Sequence, residues 1–186
     1  LSSKLRLKNK PIGIDITTHK DKDKRIKFRK IDAVSFLSKN KDKFDLILIK
    51  QTIHLLDLDK IKKLLTLSKK NLSSKGKIFI FTLETDNNQL PTFKLMKKKL
   101  LESLKRDKKI LKIIKKLYPH RIKKKFIYKV KINKKNYLKM IQNRYISTLL
   151  SLPKKKLLKG IKEINLKYND NIKFNDKLIC VILQNA

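Results

Sequence analysis

Two short apolar runs constrain this chain more than any other feature. Phe44-Asp-Leu-Ile-Leu-Ile49 and Lys77-Ile-Phe-Ile-Phe-Thr-Leu83 are almost uninterrupted by polar residues. Runs of this length without alternation read as strands covered on both faces, as in a parallel sheet. Between them, Asp57 and Asp59 sit where acids favour the first turn of a helix, and Ile61, Leu64, Leu65 and Leu72 fall on one helical face. Ser73-Ser-Lys-Gly76 reads as the turn before the second run. Strand, helix, strand at this spacing predicts a mostly parallel α/β sheet.

The pattern extends in both directions. Upstream, residues 2–9 read as the tail of a helix, Ile12-Gly-Ile-Asp-Ile16 as a strand and 17–24 as a loop. Arg25-Ile-Lys-Phe-Arg-Lys-Ile-Asp32 alternates like a strand, and a short helix starts over 33–39. Downstream, 85–91 is a loop. Phe93, Met96, Leu100, Leu104, Leu111, Ile114 and Tyr118 line one side of a long basic helix that Pro119 ends. Phe126-Ile-Tyr-Lys-Val-Lys-Ile132 has the period of a strand, and a helix is expected over about 134–151. Pro153 opens another, closed near Gly160, and 172–183 supplies a last strand with a bend near Asn175-Asp176. Without repeats or linkers, residues 1–186 read as one domain, with 85–125 as a lid or substrate-side insertion.

Composition excludes some classes. No run is long enough in apolar residues to cross a bilayer. The single Cys180 lies in Leu178-Ile-Cys-Val-Ile-Leu183 and reads as a buried, reduced thiol, which fits a cytoplasmic protein. The net charge of +36 by itself suggests a polyanion partner. Of the 51 basic residues, however, 6 are Arg and 45 are Lys, spread over nearly every segment. Arg is the side chain that forks onto phosphates, and it is scarce. Coding bias therefore explains the excess better than selection for RNA. Weak, salt-sensitive binding to polyanions is still expected from the charge.

The chain begins on Leu1, without a Met. In a cofactor-binding α/β domain, a strand ending on an acid, as Ile12–Asp15 does, is normally the second. A first strand and its Gly-rich loop then lie upstream. The chain reads as N-terminally truncated, and its function as that of a longer parent.

Four pieces follow in order: the acid Asp15 ending one strand, Lys30-Ile-Asp-Ala33 ending the next, Phe44-Asp-Leu-Ile-Leu-Ile-Lys-Gln-Thr-Ile-His-Leu-Leu56, and Asn71-Leu-Ser-Ser-Lys-Gly-Lys-Ile-Phe-Ile-Phe81. This succession resembles the class I S-adenosylmethionine-dependent methyltransferases, in particular the broad group acting on small molecules. The resemblance covers nearly the whole chain. The segment Asn143-Arg-Tyr-Ile-Ser-Thr-Leu-Leu-Ser-Leu152 also looks like the substrate-side helix of that group. It implies a Rossmann-like sheet, mostly parallel with an antiparallel last strand, here lacking the first strand and Gly-rich loop. It further implies S-adenosylmethionine as cofactor, a small-molecule methyl acceptor and no metal. On its strength Asp15 accepts the ribose hydroxyls and Ile16 packs on the adenine. Asp32 accepts the adenine amino group beside the Ala33 backbone, and Ile49 and Lys50 face the methionine part through their backbone. His54 matches a His common in the group and would act as general base.

Each of these residues has a plainer use. Asp15 and Asp32 serve equally as turn caps, and His54 as a helix-start His packed on the sheet. Tyr118, His120, Arg121, Arg144 and Tyr145 are pocket candidates that structural roles suit better. A basic lid would suit an anionic acceptor such as a carboxylate. Lacking the first strand, the chain is expected to bind S-adenosylmethionine poorly or not at all by itself. Ile49-Lys-Gln-Thr52 stands where an amino-directed nucleic-acid methyltransferase would carry Asn/Asp-Pro-Pro-aromatic. The alternatives are a basic RNA-binding protein, which would interleave exposed aromatics with its basic face, and an RNA methyltransferase. Here most aromatics fall at core-facing positions. A dehydrogenase would share only the acid at Asp15.

Overall fold

The computed structural model of the chain describes residues 7, 9–18 and 23–184. The helix tail expected over 2–9 lies almost wholly outside them. The described elements are β1 (Ile12–Asp15), β2 (Lys27–Lys30), α1 (Ala33–Lys39), β3 (Phe44–Lys50), α2 (Leu58–Lys70), β4 (Leu72–Leu83), α3 (Lys94–Leu117), β5 (Ile122–Asn133), α4 (Lys134–Gln142), α5 (Lys154–Lys167) and β6 (Asn171–Gln184). Single 3-10 turns lie at Ile53–Leu55 and Ser147–Leu149.

The strands form two sheets. β1 and β2 pair in parallel as a two-stranded sheet, and the other four lie in the order β3-β4-β6-β5. β3 runs parallel to β4, while β6 runs antiparallel to both β4 and β5. The architecture is the expected mixed α/β sheet with its antiparallel end.

Burial explains why the helices lie where they do. Ile47 and Ile49 of β3, Ile78 and Ile80 of β4, and Ile179, Val181 and Leu183 of β6 share one sheet face. Ile61, Leu64 and Leu65 of α2 and Ile110 and Ile114 of α3 pack with them, and Phe36 and Leu37 of α1 extend this core. A second core gathers Phe93, Met96, Tyr137, Ile141, Leu157, Ile164 and Ile172 where α4 and α5 meet the ends of β5 and β6. Burial of such side chains contributes roughly 1.5–3 kcal/mol each.

Several expectations are corrected. β3 was expected to be covered on both faces, yet Leu46 and Leu48 are 37% and 42% exposed. Leu72 and the expected turn 73–76 belong to β4. The ladder is irregular there, stepping from Phe44↔Leu72 to Leu46↔Lys77. Gly76 permits this, since a Cβ would lie 2.7 Å from the Phe44 carbonyl oxygen. The helix expected over 134–151 stops at Gln142, and α5 runs through Gly160 to Lys167. Gly160 is a contact point, because a Cβ would meet the Phe93 ring at 2.5 Å. The expected bend at Asn175-Asp176 is absent from the pairing, which runs unbroken from Asn171 to Ile182. Cys180 is buried and free, as expected.

Candidate functional site

The carboxyl ends of parallel strands are where open α/β sheets place their ligands. β3 ends there in a strained turn. Gln51 has φ 52, a left-handed conformation that a non-glycine residue seldom adopts. Its N–H donates to the Phe81 carbonyl at 2.9 Å, which ties the turn to β4. The Ile49 side chain is buried in the first core, so only its backbone reaches this edge, and the Lys50 side chain is exposed.

Immediately after lies His54, in the 3-10 turn and half-buried. Its Nε2 is 3.1 Å from Ser147 Oγ, across 93 residues of sequence. Burial lowers the His54 pKa below its ordinary 6.5; the Asp107 charge opposes this and the Arg106 charge adds to it. The ring is therefore neutral at pH 7, the form a base needs.

Asp107 is on the buried face of α3 and is only 4% exposed. Thr82 Oγ1 donates to its Oδ2 at 3.2 Å, while its Oδ1 is buried with no hydrogen-bond partner. Burial raises its pKa, against the pull of His54, Thr82 and Arg106. Arg106, its neighbour, donates from Nη2 to the Leu56 carbonyl at 2.5 Å. That bond locks α3 against the turn carrying His54. Thr82, Asp107, His54 and Ser147 thus form one polar cluster at the carboxyl edge. Sequence reasoning named only His54 of the four. A signal was available, since the helical period 96, 100, 104 continues through 107, placing an acid on an apolar face. Glu84, just past β4, was also missed. It is buried and holds Lys125 Nζ at 3.1 Å.

Ser147 is placed by an arginine clamp. Arg144 has φ 54, breaking the chain direction after α4. Its guanidinium donates to the carbonyls of Leu149, Leu150 and Leu152. The pocket expectation for Arg144 thus gives way to a structural role. Tyr145 hydroxyl lies 3.0 Å from that of Tyr137, which donates to the Pro91 carbonyl at 2.5 Å. Burial raises the pKa of both phenols. They pin the loop after β4, as does Tyr168, whose hydroxyl accepts from Thr92 N at 3.2 Å.

Tyr118, His120 and Arg121 are elsewhere. α3 runs back along β4, so they lie at the amino edge, where Tyr118 flanks a hollow with Thr66, Lys69 and Lys70. A second hollow, lined by Asn40, Lys43 and Asn71, is also at that edge. Neither touches the cluster.

Asp15 and Asp32 stand at the carboxyl ends of neighbouring parallel strands. Both also cap turns. Asp15 Oδ1 accepts from Thr17 N and Oγ1, each at 2.9 Å. Asp32 is the N-cap of α1, accepting from Ser35 N at 2.9 Å, a bond that holds its carboxyl below the usual range. Ile16, beside Asp15, is 67% exposed, and Ala33 opens α1. β1 and β3 are not paired, so these acids and the β3 turn belong to different sheets. Among the described residues no cluster of His, Cys, Asp and Glu could hold a metal, and no helix is long and apolar enough to cross a membrane.

No model of a known family matches the chain, and no curated protein does. Solved structures do. The plantazolicin methyltransferase BpumL, in complex with a pentazolic desmethylPZN analog and SAH, is similar over 100% of this chain and 70% of its own, at TM-score 0.50 and 16% identity. Haemonchus contortus phosphoethanolamine N-methyltransferase 2, in complex with S-adenosyl-L-methionine, is similar over 100% of this chain and 45% of its own, at TM-score 0.46 and 19% identity. A SAM-dependent methyltransferase from Archaeoglobus fulgidus covers 92% of this chain with 74% of its own, at TM-score 0.45 and 15% identity. Likeness at these identities concerns the fold, and together with the strand order it leads to one statement: this chain has the fold of the class I S-adenosylmethionine-dependent methyltransferases.

Proposed function

We propose that this chain carries out, or forms part of an enzyme that carries out, methyl transfer from S-adenosylmethionine to a small-molecule acceptor. The observation that carries the reading is the His54 cluster, a neutral imidazole half-buried at the carboxyl edge with a hydroxyl on Nε2 and a buried acid behind it. Methyl transfer to oxygen or nitrogen releases a proton. A neutral imidazole takes such a proton, a step worth typically 10²–10⁴-fold in rate. Asp107 acts as a positioning residue. With Nε2 on Ser147, Nδ1 is left to carry the hydrogen, and the unpartnered Oδ1 is the acceptor available to stabilise the ring once it is charged. The Ser147 hydroxyl marks where the acceptor's own O–H or N–H would sit.

The residues at β1 and β2 fit the cofactor on chemistry. Ribose hydroxyls and an adenine amino group are donors. Two carboxylates at adjacent strand ends are acceptors. The exposed Ile16 offers an apolar face for a ring. The backbone at Ile49 and Lys50 would take the methionine part. When bound, the cofactor supplies an activated methyl group for direct displacement, and the protein's task is to hold donor and acceptor in line. The first part of 85–125, before α3 turns back along β4, and the loop 143–152 would border the acceptor, small and, given the surrounding lysines, anionic.

Binding tests this reading before activity does. S-adenosylhomocysteine titrated into the chain should saturate only weakly, in the millimolar range, because the two sheets leave the site divided. Asp15→Asn should weaken it at least tenfold. His54→Asn should leave binding unchanged and slow methyl transfer in the active enzyme at least a hundredfold. Saturable binding that is indifferent to Asp15→Asn would overturn the cofactor assignment, and saturation in the micromolar range would overturn the expectation of weak binding.

A further inference from the structure

The sheet face opposite α2 and α3 carries a pattern that the methyl-transfer site does not use. The residues facing that way are the even positions of β3, β5 and β6 and the odd positions of β4, by the register of the ladders. Aromatic rings stand among them, including Phe79, Phe81, Phe126, Tyr128 and Phe174. Phe81 and Phe126 are in ring contact across β6 at 6.0 Å between centroids, and Tyr128 follows two residues along β5. Phe126 is 48% exposed and Tyr128 71%. Most aromatics were expected to face a core, and these two do not. Lys50, Lys77 and Lys124 lie on the same face, all exposed. The acid on it, among the described residues, is Asp176, opposite Tyr128.

We propose that this face is a platform for single-stranded nucleic acid. Bases of an unpaired strand stack on aromatic side chains, and lysines take the phosphates between them. Phe126 and Tyr128 are two residues apart on one strand, so their rings are spaced by about 7 Å along it. That is room for consecutive unstacked bases. Of the five lysines of β5 only Lys124 is on this face, where it joins Lys50 and Lys77, and the chain as a whole carries +36. The charge complementarity is therefore with a polyanion. A second copy of this chain is disfavoured by the same charge. An added peptide strand is disfavoured too, because lysines along a sheet edge are a device that blocks edge pairing. A bilayer would need an apolar face, whereas Lys50, Lys77 and Lys124 stand exposed among these rings.

The test separates stacking from charge. Fluorescein-labelled ten-residue oligouridylate and an abasic sugar-phosphate decamer of equal charge are titrated into the protein, followed by anisotropy at several salt concentrations. The base-bearing strand should bind at least tenfold more tightly. The Phe126→Ala/Tyr128→Ala double variant should remove that difference while leaving the salt slope unchanged. Circular dichroism and thermal melting check its fold, and Tyr128→Ala alone, at a highly exposed position, serves if the double variant melts early. Equal binding of the two decamers by wild-type protein would reduce the effect to charge and overturn the proposal. So would full binding by either aromatic variant, or an acidic peptide that competes with the oligonucleotide irrespective of the aromatics.

Discussion

The burial of Asp107 is incompletely compensated. Its Oδ1 has no hydrogen-bond partner, and its pKa is raised chiefly by loss of solvent. A group whose folded pKa is raised binds protons in the folded state where the unfolded chain has released them, so it opposes stability as pH rises above the ordinary 3.8. Asp107→Asn removes that charge. The variant should melt higher than wild type at pH 8, and the gain should shrink as pH falls toward 4. A gain independent of pH would show that packing, and not ionisation, is responsible. His54 acts in the opposite sense. Its depressed pKa means that stability present above pH 6.5 is lost as pH falls below it. His54→Gln should flatten that loss in melting curves taken between pH 7 and 5. Asp32 separates a cap from a ligand. Asparagine caps a helix as well as aspartate does, whereas alanine costs about 1 kcal/mol. Denaturant titration should find Asp32→Asn near wild type and Asp32→Ala less stable, and if both are silent α1 does not depend on its cap.

At the scale of elements, local sequence yields to packing in two places. Gly160 reads as a helix stop, yet it lies inside α5 because the Phe93 ring occupies the space a side chain would need. Gly160→Ala raises helix propensity but drives a methyl into that ring. The expected outcome is a loss of about 1–3 kcal/mol, measured by urea unfolding. Phe93→Leu combined with Gly160→Ala should recover part of it, since the two changes share one cavity. A merely additive loss would put the strain elsewhere. The second place is the break after α4. Nothing in Met140-Ile-Gln-Asn-Arg-Tyr145 forbids a longer helix by propensity. The Arg144 guanidinium instead donates to three carbonyls after the turn. That clamp, and not the helical period, sets where Ser147 stands.

The whole molecule is governed by its charge and by a sheet in two parts. A net +36 on 186 residues repels itself wherever the chain is compact. Ion pairs among the described residues are mostly exposed, as with Lys60–Asp57 and Lys62–Asp59, and such pairs contribute little. Melting temperature should therefore rise as sodium chloride is raised from low ionic strength to about 0.5 M, where screening lengths fall below ~10 Å. A melting point that falls with salt would mean that the exposed ion pairs outweigh the repulsion. The open sheet face, with β1 and β3 not paired to each other, gives the molecule apolar and backbone surface beyond what its own helices cover.

The sequence by itself determined the strands, most helices, the burial of Cys180 and the order of acids along the sheet. Those follow from periods of two and 3.6 in contiguous residues, which any pleated strand or helix must obey. Its limits appeared at Gly76, Gly160 and Arg144, where distant side chains overrule local preference. It placed Asp15, Asp32 and His54 near strand ends but could not say what else would be there. Tertiary structure alone brought Ser147 to His54, set Asp107 against Thr82, left Phe126 and Tyr128 exposed, and sent Tyr118, His120 and Arg121 to the opposite edge. Those placements depend on ladder register and on the direction in which α3 returns along β4, and neither quantity is encoded in any one stretch of the chain.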